Sequence, residues 1–226
     1  MEAQPKIVAA LTEQASKLTL SSRAFHSANL GAFARKVTSV LGFDCVLPMN
    51  TGAEAVETAL KLARRWAYDT KGVSEDKALI LAVSDNFHGR TLGVISMSTD
   101  PDSRAKFGPY LDNVGPVCPA TGRKIRFGEI DDVRAALEAH AAQTAALLVE
   151  PIQGEAGIKI PPPGYLAECR RLCKEHNVRL SKFYGHPRLT LDAQVLFICD
   201  EIQSGLGRTG HMCVPSCSRL IGTSSR

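Results

Sequence analysis

Val195-Leu196-Phe197-Ile198-Cys199-Asp200-Glu201-Ile202-Gln203 is the stretch on which the fold reading turns. Its first five residues are continuously apolar, the pattern of a strand buried on both faces in a parallel sheet. The run ends in two adjacent carboxylates, followed by the flexible Ser204-Gly205-Leu206-Gly207-Arg208-Thr209-Gly210. Open α/β sheets bind ligands beyond the carboxyl ends of their strands. An acid placed there is costly to bury unless something cationic meets it. In isolation the simpler reading is a strand that runs into a solvated acidic turn, because charges are mostly exposed. The rest of the chain reverses that choice.

Composition sets the bounds. The chain has 226 residues, 44% apolar and 22% charged, enough for one large core. A net charge of +4 is mild, and without basic stretches interleaved with aromatics no nucleic-acid partner is expected. No apolar run approaches a membrane span and no secretory segment opens the sequence, so a cytoplasmic protein with no membrane partner is expected. The seven cysteines, scattered and odd in number, favour a reducing compartment. Cys169 and Cys173 lie one helical turn apart, as do Cys213 and Cys217 if that tail is helical. No histidine pattern completes a zinc site around either pair, and no metal is expected.

Outward from the decisive strand, helix-like and strand-like segments alternate. Amphipathic spacing predicts helices over 5–18, 29–41, 51–68, 131–142 and 164–176, with Lys71-Gly72 as a stop for the third. Short apolar runs predict strands over 78–83 and 145–149. This alternation argues for a mostly parallel α/β sheet flanked by helices.

Three further constellations carry chemistry. In Asn50-Thr51-Gly52-Ala53-Glu54, Thr51 and Glu54 have the spacing of a capping box. Gly52 and Ala53 leave the first-turn amides uncovered, an anion site suited to a phosphate; a plain well-capped helix explains the same residues. Asp85-Asn86-Phe87-His88-Gly89-Arg90-Thr91 offers an aromatic face, a hydrogen-bonding ring and a cation on one loop, or else a Gly-hinged surface loop with a core Phe. Val149-Glu150-Pro151-Ile152-Gln153-Gly154-Glu155-Ala156-Gly157 puts two carboxylates at another strand end, where they could also be solvated and inert. Together they are what an aromatic phosphorylated cofactor with a basic ring nitrogen requires.

Residues 50–55, 86–91, 149–157 and 199–210 resemble the large domain of the class III aminotransferases, the fold-type I enzymes that use pyridoxal 5'-phosphate. Lys17-Leu18-Thr19-Leu20-Ser21-Ser22-Arg23-Ala24-Phe25, Leu47-Pro48-Met49-Asn50-Thr51-Gly52, Lys61-Leu62-Ala63-Arg64-Arg65-Trp66 and Ser98-Thr99-Asp100-Pro101-Asp102-Ser103-Arg104 are similar to the ornithine-specific branch of that family. The resemblance implies that Asp200 pairs with the protonated pyridine nitrogen, strengthening the ring as an electron sink. It implies that Phe87 and Ile202 sandwich the ring, that the Gly52 and Ala53 amides hold the phosphate, and that Gln203 reaches the ring hydroxyl. Arg90 resembles a substrate-carboxylate contact. Glu155 resembles the acid that pairs with a switchable arginine, and Glu150 supports these groups. The implied reaction converts ornithine and 2-oxoglutarate to glutamate-5-semialdehyde and glutamate in a homodimer. An acetylornithine or 4-aminobutyrate aminotransferase, and a non-catalytic truncated product, are the alternatives.

The family's Schiff-base lysine lies roughly thirty residues beyond the aspartate that Asp200 resembles, and no lysine follows Lys182 here. An incomplete large domain, inactive as given, is therefore expected. Met1 begins inside the family pattern, which leaves a mitochondrial address open. The expected organisation is a helical part over 1–46, a cofactor-binding domain over 47–210, and a tail over 211–226 outside the family pattern. Residues 181–194 intervene where an αβ connection should be a few residues long. A translated intron is expected there, with a surface insertion as the alternative.

Overall fold

The alternation read from the sequence becomes alternating layers in the computed structural model, which describes residues 3–22, 24–119, 121–176, 178–179, 192–193 and 195–214. Two units are distinguished, Met1–Val46 and Leu47–Arg226.

The first unit holds α1 (Pro5–Ala15) and α2 (Ala28–Leu41). Pro5 stands in the first turn of α1, where its missing N–H has no intrahelical acceptor to lose. The helix stops short of the expected Leu18. Ser16 Oγ donates to Glu13 O at 2.8 Å, the local side-chain bonding that competes with helix continuation. α2 ends on Gly42 at φ 73°, the left-handed stop that glycine adopts without strain. The apolar stripes read from the sequence exist, but neither helix buries a residue.

In the second unit, α3 (Gly52–Asp69), β1 (Leu79–Ala82), α4 (Leu92–Ile95), α5 (Pro101–Arg104), β2 (Val114–Gly115), α6 (Ile130–His140), β3 (Thr144–Val149) and α7 (Tyr165–Glu175) follow one another. Next come β4 (Val178–Arg179), β5 (Asp192–Ala193) and β6 (Leu196–Cys199). Strands β2-β1-β3-β6 form one parallel sheet in that order, and β4 and β5 form a separate antiparallel pair. The period of two sorts the central strands between layers. Leu79, Leu81, Leu147 and Val149 join Val133 and Leu137 of α6 and Leu166, Cys169, Leu172 and Cys173 of α7 in one cluster. Ile80, Ala82, Ala146 and Leu148 join Val56, Leu60, Ala63 and Ala67 of α3 in the other. Each such aliphatic side chain taken fully out of water contributes about 1.5–3 kcal/mol, so the two clusters hold the helices on opposite faces of the sheet.

Two expectations need adjustment. β6, expected to be buried on both faces, is only partly buried along Leu196–Cys199. Among the described residues it pairs with β3 alone and so lies at the edge of the described sheet; a parallel strand becomes inaccessible only with neighbours on both sides as well as layers above and below. β2 was not expected, because a two-residue strand carries too little periodicity to be read. Of the intervening segment 181–194, only Asp192–Ala193 is described, and of the tail only residues 211–214. The rest of both, with Cys217, lies outside the described residues.

Lys71, expected only as a helix stop, is 3% exposed. Its Nζ donates to Ala141 O at 2.5 Å and Thr144 O at 2.6 Å, joining the end of α3 to the α6–β3 turn. Burial lowers its pKa from 10.5 to about 8, against the pull of the two carbonyls, which favour the ammonium. Between those two values the unfolded chain holds the proton and the folded chain does not, so this group's contribution to stability rises with pH. In a full-length enzyme carrying this sequence, denaturant titrations at pH ~7.5 and ~9.5 should show wild type gaining on a Lys71→Met variant by about 2 kcal/mol at most. An unchanged difference would mean that the carbonyl contacts hold the ammonium at its ordinary pKa.

Candidate active site

Parallel strands deliver their carboxyl ends to one edge of the sheet, and three loops meet there with the start of α3. They follow β1, β3 and β6 and enclose a cleft of about 220 Å³ lined by Gly52, Ala53, Phe87, His88, Gly89, Glu150, Asp200, Ile202 and Gln203.

The start of α3 is a complete capping box. Thr51 Oγ1 accepts from Glu54 N at 3.1 Å, and Glu54 Oε2 accepts from Asn50 N at 2.9 Å and Thr51 N at 3.2 Å. The first two helical N–H groups, Gly52 and Ala53, have no intrahelical acceptor by geometry and border the cleft. Small residues are required there. A Cβ on Gly52 would lie 2.9 Å from Ile202 Cδ1. A Cβ on Gly89, whose φ is +120°, would lie 2.7 Å from Ala53 Cβ.

The β1 loop is pinned by Asn86, which is buried; its Nδ2 donates to Val83 O at 2.6 Å and Met97 O at 2.8 Å. This holds Phe87 half-buried in the cleft wall, with its N–H donating to Glu150 Oε2 at 3.0 Å. Burial pushes the Glu150 carboxyl above the usual carboxylate range. The Phe87 amide and His88 oppose that shift, and the negative charge of Asp200 adds to it.

Asp200 is 8% exposed. Its N–H continues the sheet ladder to Val149 O at 2.8 Å, its Oδ1 accepts from Ile202 N at 3.1 Å, and His88 Nδ1 lies 2.7 Å from its Oδ2. The neighbouring Glu201 is turned away to other work: it accepts from Val214 N at 2.9 Å and Ser204 Oγ at 3.0 Å. Of the two adjacent carboxylates, only Asp200 lines the cleft.

The remaining expected residues sit at its margins. Gln203 lines the cleft and donates from Nε2 to Glu155 Oε1 at 3.2 Å; a Cβ on Gly154 would occupy the space of the Gln203 amide. Glu155 itself lines an adjoining cavity of about 350 Å³, reached past Phe87, together with Asp85, Thr99, Asp100 and Lys159. There Lys159 Nζ lies 2.8 Å from Asp85 Oδ2 and holds that carboxyl below its usual range. Arg90 is exposed and does not line the cleft; its guanidinium lies 5.8 Å from the Phe87 ring centroid. Among the described residues, no group of three or more His, Cys, Asp or Glu could hold a metal ion.

An aromatic wall, two uncommitted amides and a buried carboxylate suit a flat anionic cofactor, and comparison with known proteins decides the family. The profile described as Aminotransferase class-III matches residues 2–216. The chain belongs to the class III aminotransferases. It is 52% identical over 208 residues to ornithine aminotransferase car2 of Schizosaccharomyces pombe, covering 92% of this chain and 44% of that relative. An ornithine aminotransferase structure from Toxoplasma gondii, crystallised with oxidised glutathione and showing partial occupancy of PLP at its active site, superposes with a TM-score of 0.80. Its identity is 38%, covering 94% of this chain and 44% of that one. An acetylornithine aminotransferase from Elizabethkingia anophelis has a TM-score of 0.73 at 45% identity, covering 96% and 46% of the two chains. The chain thus spans less than half the length of these class III relatives.

The class III resemblance implied a role for every cleft residue except His88 and Gly89. His88 was legible as a hydrogen-bonding ring beside an aromatic, but its partner stands 112 residues away, a distance that no local pattern bridges.

Proposed function

We propose that this chain supplies the cofactor-binding domain of an ornithine:2-oxo-acid aminotransferase. The enzyme takes the δ-amino group of ornithine to 2-oxoglutarate and yields glutamate-5-semialdehyde and glutamate with pyridoxal 5'-phosphate as cofactor. The observation that carries this reading is Asp200: a carboxylate buried in a cleft wall, accepting from the Ile202 amide and, among the described residues, paired with His88. The cleft fits the cofactor, since its lining combines the first two residues of α3, Gly52 and Ala53, with the Phe87 ring and the buried Asp200 carboxylate.

When bound, pyridoxal phosphate supplies an electron-withdrawing ring that stabilises negative charge at the substrate carbon. The Gly52 and Ala53 amides, at the positive end of the α3 dipole, would hold the phosphate. Phe87 and Ile202 would hold the ring between them. Asp200 would keep a proton on the pyridine nitrogen, and Gln203 would donate to the ring hydroxyl. Arg90 would take the substrate carboxylate and Glu155 would pair with a switchable arginine, while Glu150 braces the Phe87 amide. The working enzyme is a cytoplasmic homodimer.

The acetylornithine reading is kept because the Elizabethkingia anophelis structure is the more similar in sequence of the two structures compared, at 45% identity against 38%. A full-length enzyme carrying this sequence, loaded with pyridoxal phosphate, separates the two. The highest kcat/KM should be for ornithine. A preference for N-acetylornithine or 4-aminobutyrate would replace the substrate assignment, and failure to bind pyridoxal phosphate would remove the whole reading.

A further inference from the structure

Two carboxylates and one imidazole are buried in the wall of the cleft: Asp200, Glu150 and His88 are 8%, 3% and 3% exposed. The proposed reaction uses Asp200 and leaves His88 without a task. Its Nδ1 lies 2.7 Å from Asp200 Oδ2, while its Nε2 is buried with no hydrogen-bond partner among the described residues. At 2.7 Å one proton must lie between nitrogen and oxygen.

That proton can sit on Nδ1, leaving Asp200 ionised. It can instead sit on Oδ2, which makes Asp200 a neutral acid and puts the imidazole proton on Nε2. The second arrangement strands a buried N–H without an acceptor, and orphaned buried donors are rare because they forfeit their hydration. An imidazolium strands the same N–H with a charge added. A second donor, the Ile202 amide on Oδ1 at 3.1 Å, favours the ionised carboxylate.

We infer that His88, as a neutral imidazole protonated on Nδ1, is a positioning residue that keeps Asp200 ionised and oriented toward the pyridine nitrogen of the bound cofactor. The inference rests on the cofactor reading above. Without a donor on Oδ2, a carboxylate this deeply buried takes up a proton more readily, and the ring nitrogen then loses its own. Glu150, whose Oε2 accepts from the Phe87 amide, is held there and does not take the place of Asp200.

The test uses holoenzyme of full length, loaded with pyridoxal phosphate labelled with ¹⁵N at the ring nitrogen. In the wild type, the ring-nitrogen resonance should be that of a protonated pyridine. His88→Phe, which keeps an aromatic ring of similar size but has no donor, should move it toward the unprotonated position. The same variant should lower kcat roughly tenfold to a hundredfold, the size of one hydrogen bond to a charged group, with little change in the KM for ornithine. His88→Asn, whose side-chain amide can donate where Nδ1 stands, should restore both. A ring nitrogen that stays protonated in His88→Phe overturns the inference. Should that variant not fold, histidine-labelled wild-type holoenzyme decides: a His88 proton found on Nε2, or on both nitrogens, overturns it, and one on Nδ1 alone supports it. Asp200→Asn is the control for the underlying reading. If it shifts the ring nitrogen and His88→Phe does not, only the role of His88 fails; if neither does, the placement of the cofactor fails.

Discussion

Asp200→Asn in a full-length enzyme carrying this sequence is expected to cut turnover by a factor of a hundred or more while weakening cofactor binding far less. The carboxylate is buried and positioned by an amide and an imidazole, so asparagine fits the space but loses the charge and one of the two acceptor oxygens. A hydrogen bond to a charged group contributes about 1.5–3 kcal/mol, which is roughly a tenfold to hundredfold change in rate. The weakened electron sink adds to that loss, because a neutral pyridine withdraws less charge from the reacting carbon. Cofactor affinity falls less, since the Gly52 and Ala53 amides and the Phe87 and Ile202 faces are untouched. Steady-state kinetics beside a pyridoxal phosphate titration read the two effects separately. Unchanged kinetics would place the cofactor elsewhere.

The second large effect concerns the 226 residues taken alone. They hold no lysine beyond Lys182, and the class III resemblance places the covalent lysine on the far side of Asp200. Enzymes typically accelerate reactions by about 10⁶-fold or more over the uncatalysed rate, and a site without its covalent anchor and proton carrier forfeits most of that. Semialdehyde formation by the purified chain is therefore expected at background, and extension of the same sequence to the relatives' length should restore it. The isolated chain should also associate or aggregate, because Leu20, Phe25 and Ile7 are 83%, 74% and 65% exposed and the edge strand β6 is only partly buried. Ornithine-dependent turnover at ordinary enzyme rates by a soluble 226-residue monomer would overturn both expectations.

Much of the fold was open to a reader of the residues. The 18-residue α3 carries its own start and stop, a capping box at Thr51 and Glu54 and a turn at Gly72. β1, and β3 beyond Thr144, are apolar and buried along their length, as strands covered on both faces are. These signals are local: capping, periodicity and glycine conformation act within a few residues, so they survive in the linear text. Each motif carries part of its own chemistry, while the roles of Gly52, Ala53, Phe87, Asp200, Ile202 and Gln203 are implied by the class III resemblance, and the fold brings all six into one cleft.

The tertiary structure decided what depends on sequence separation. That Asp200 and not Glu201 lines the cleft follows from how the chain turns back at Val214 to occupy Glu201. That His88 meets Asp200 follows from the placement of β3 between β1 and β6, which brings the loops after β1 and β6 together across its end. Whether β6 is central or peripheral depends on its neighbours in the sheet, not on its composition. Side-chain identity dictates what a residue can bond to; which partner it meets, and whether water is excluded when it does, is set only when the strands take their order.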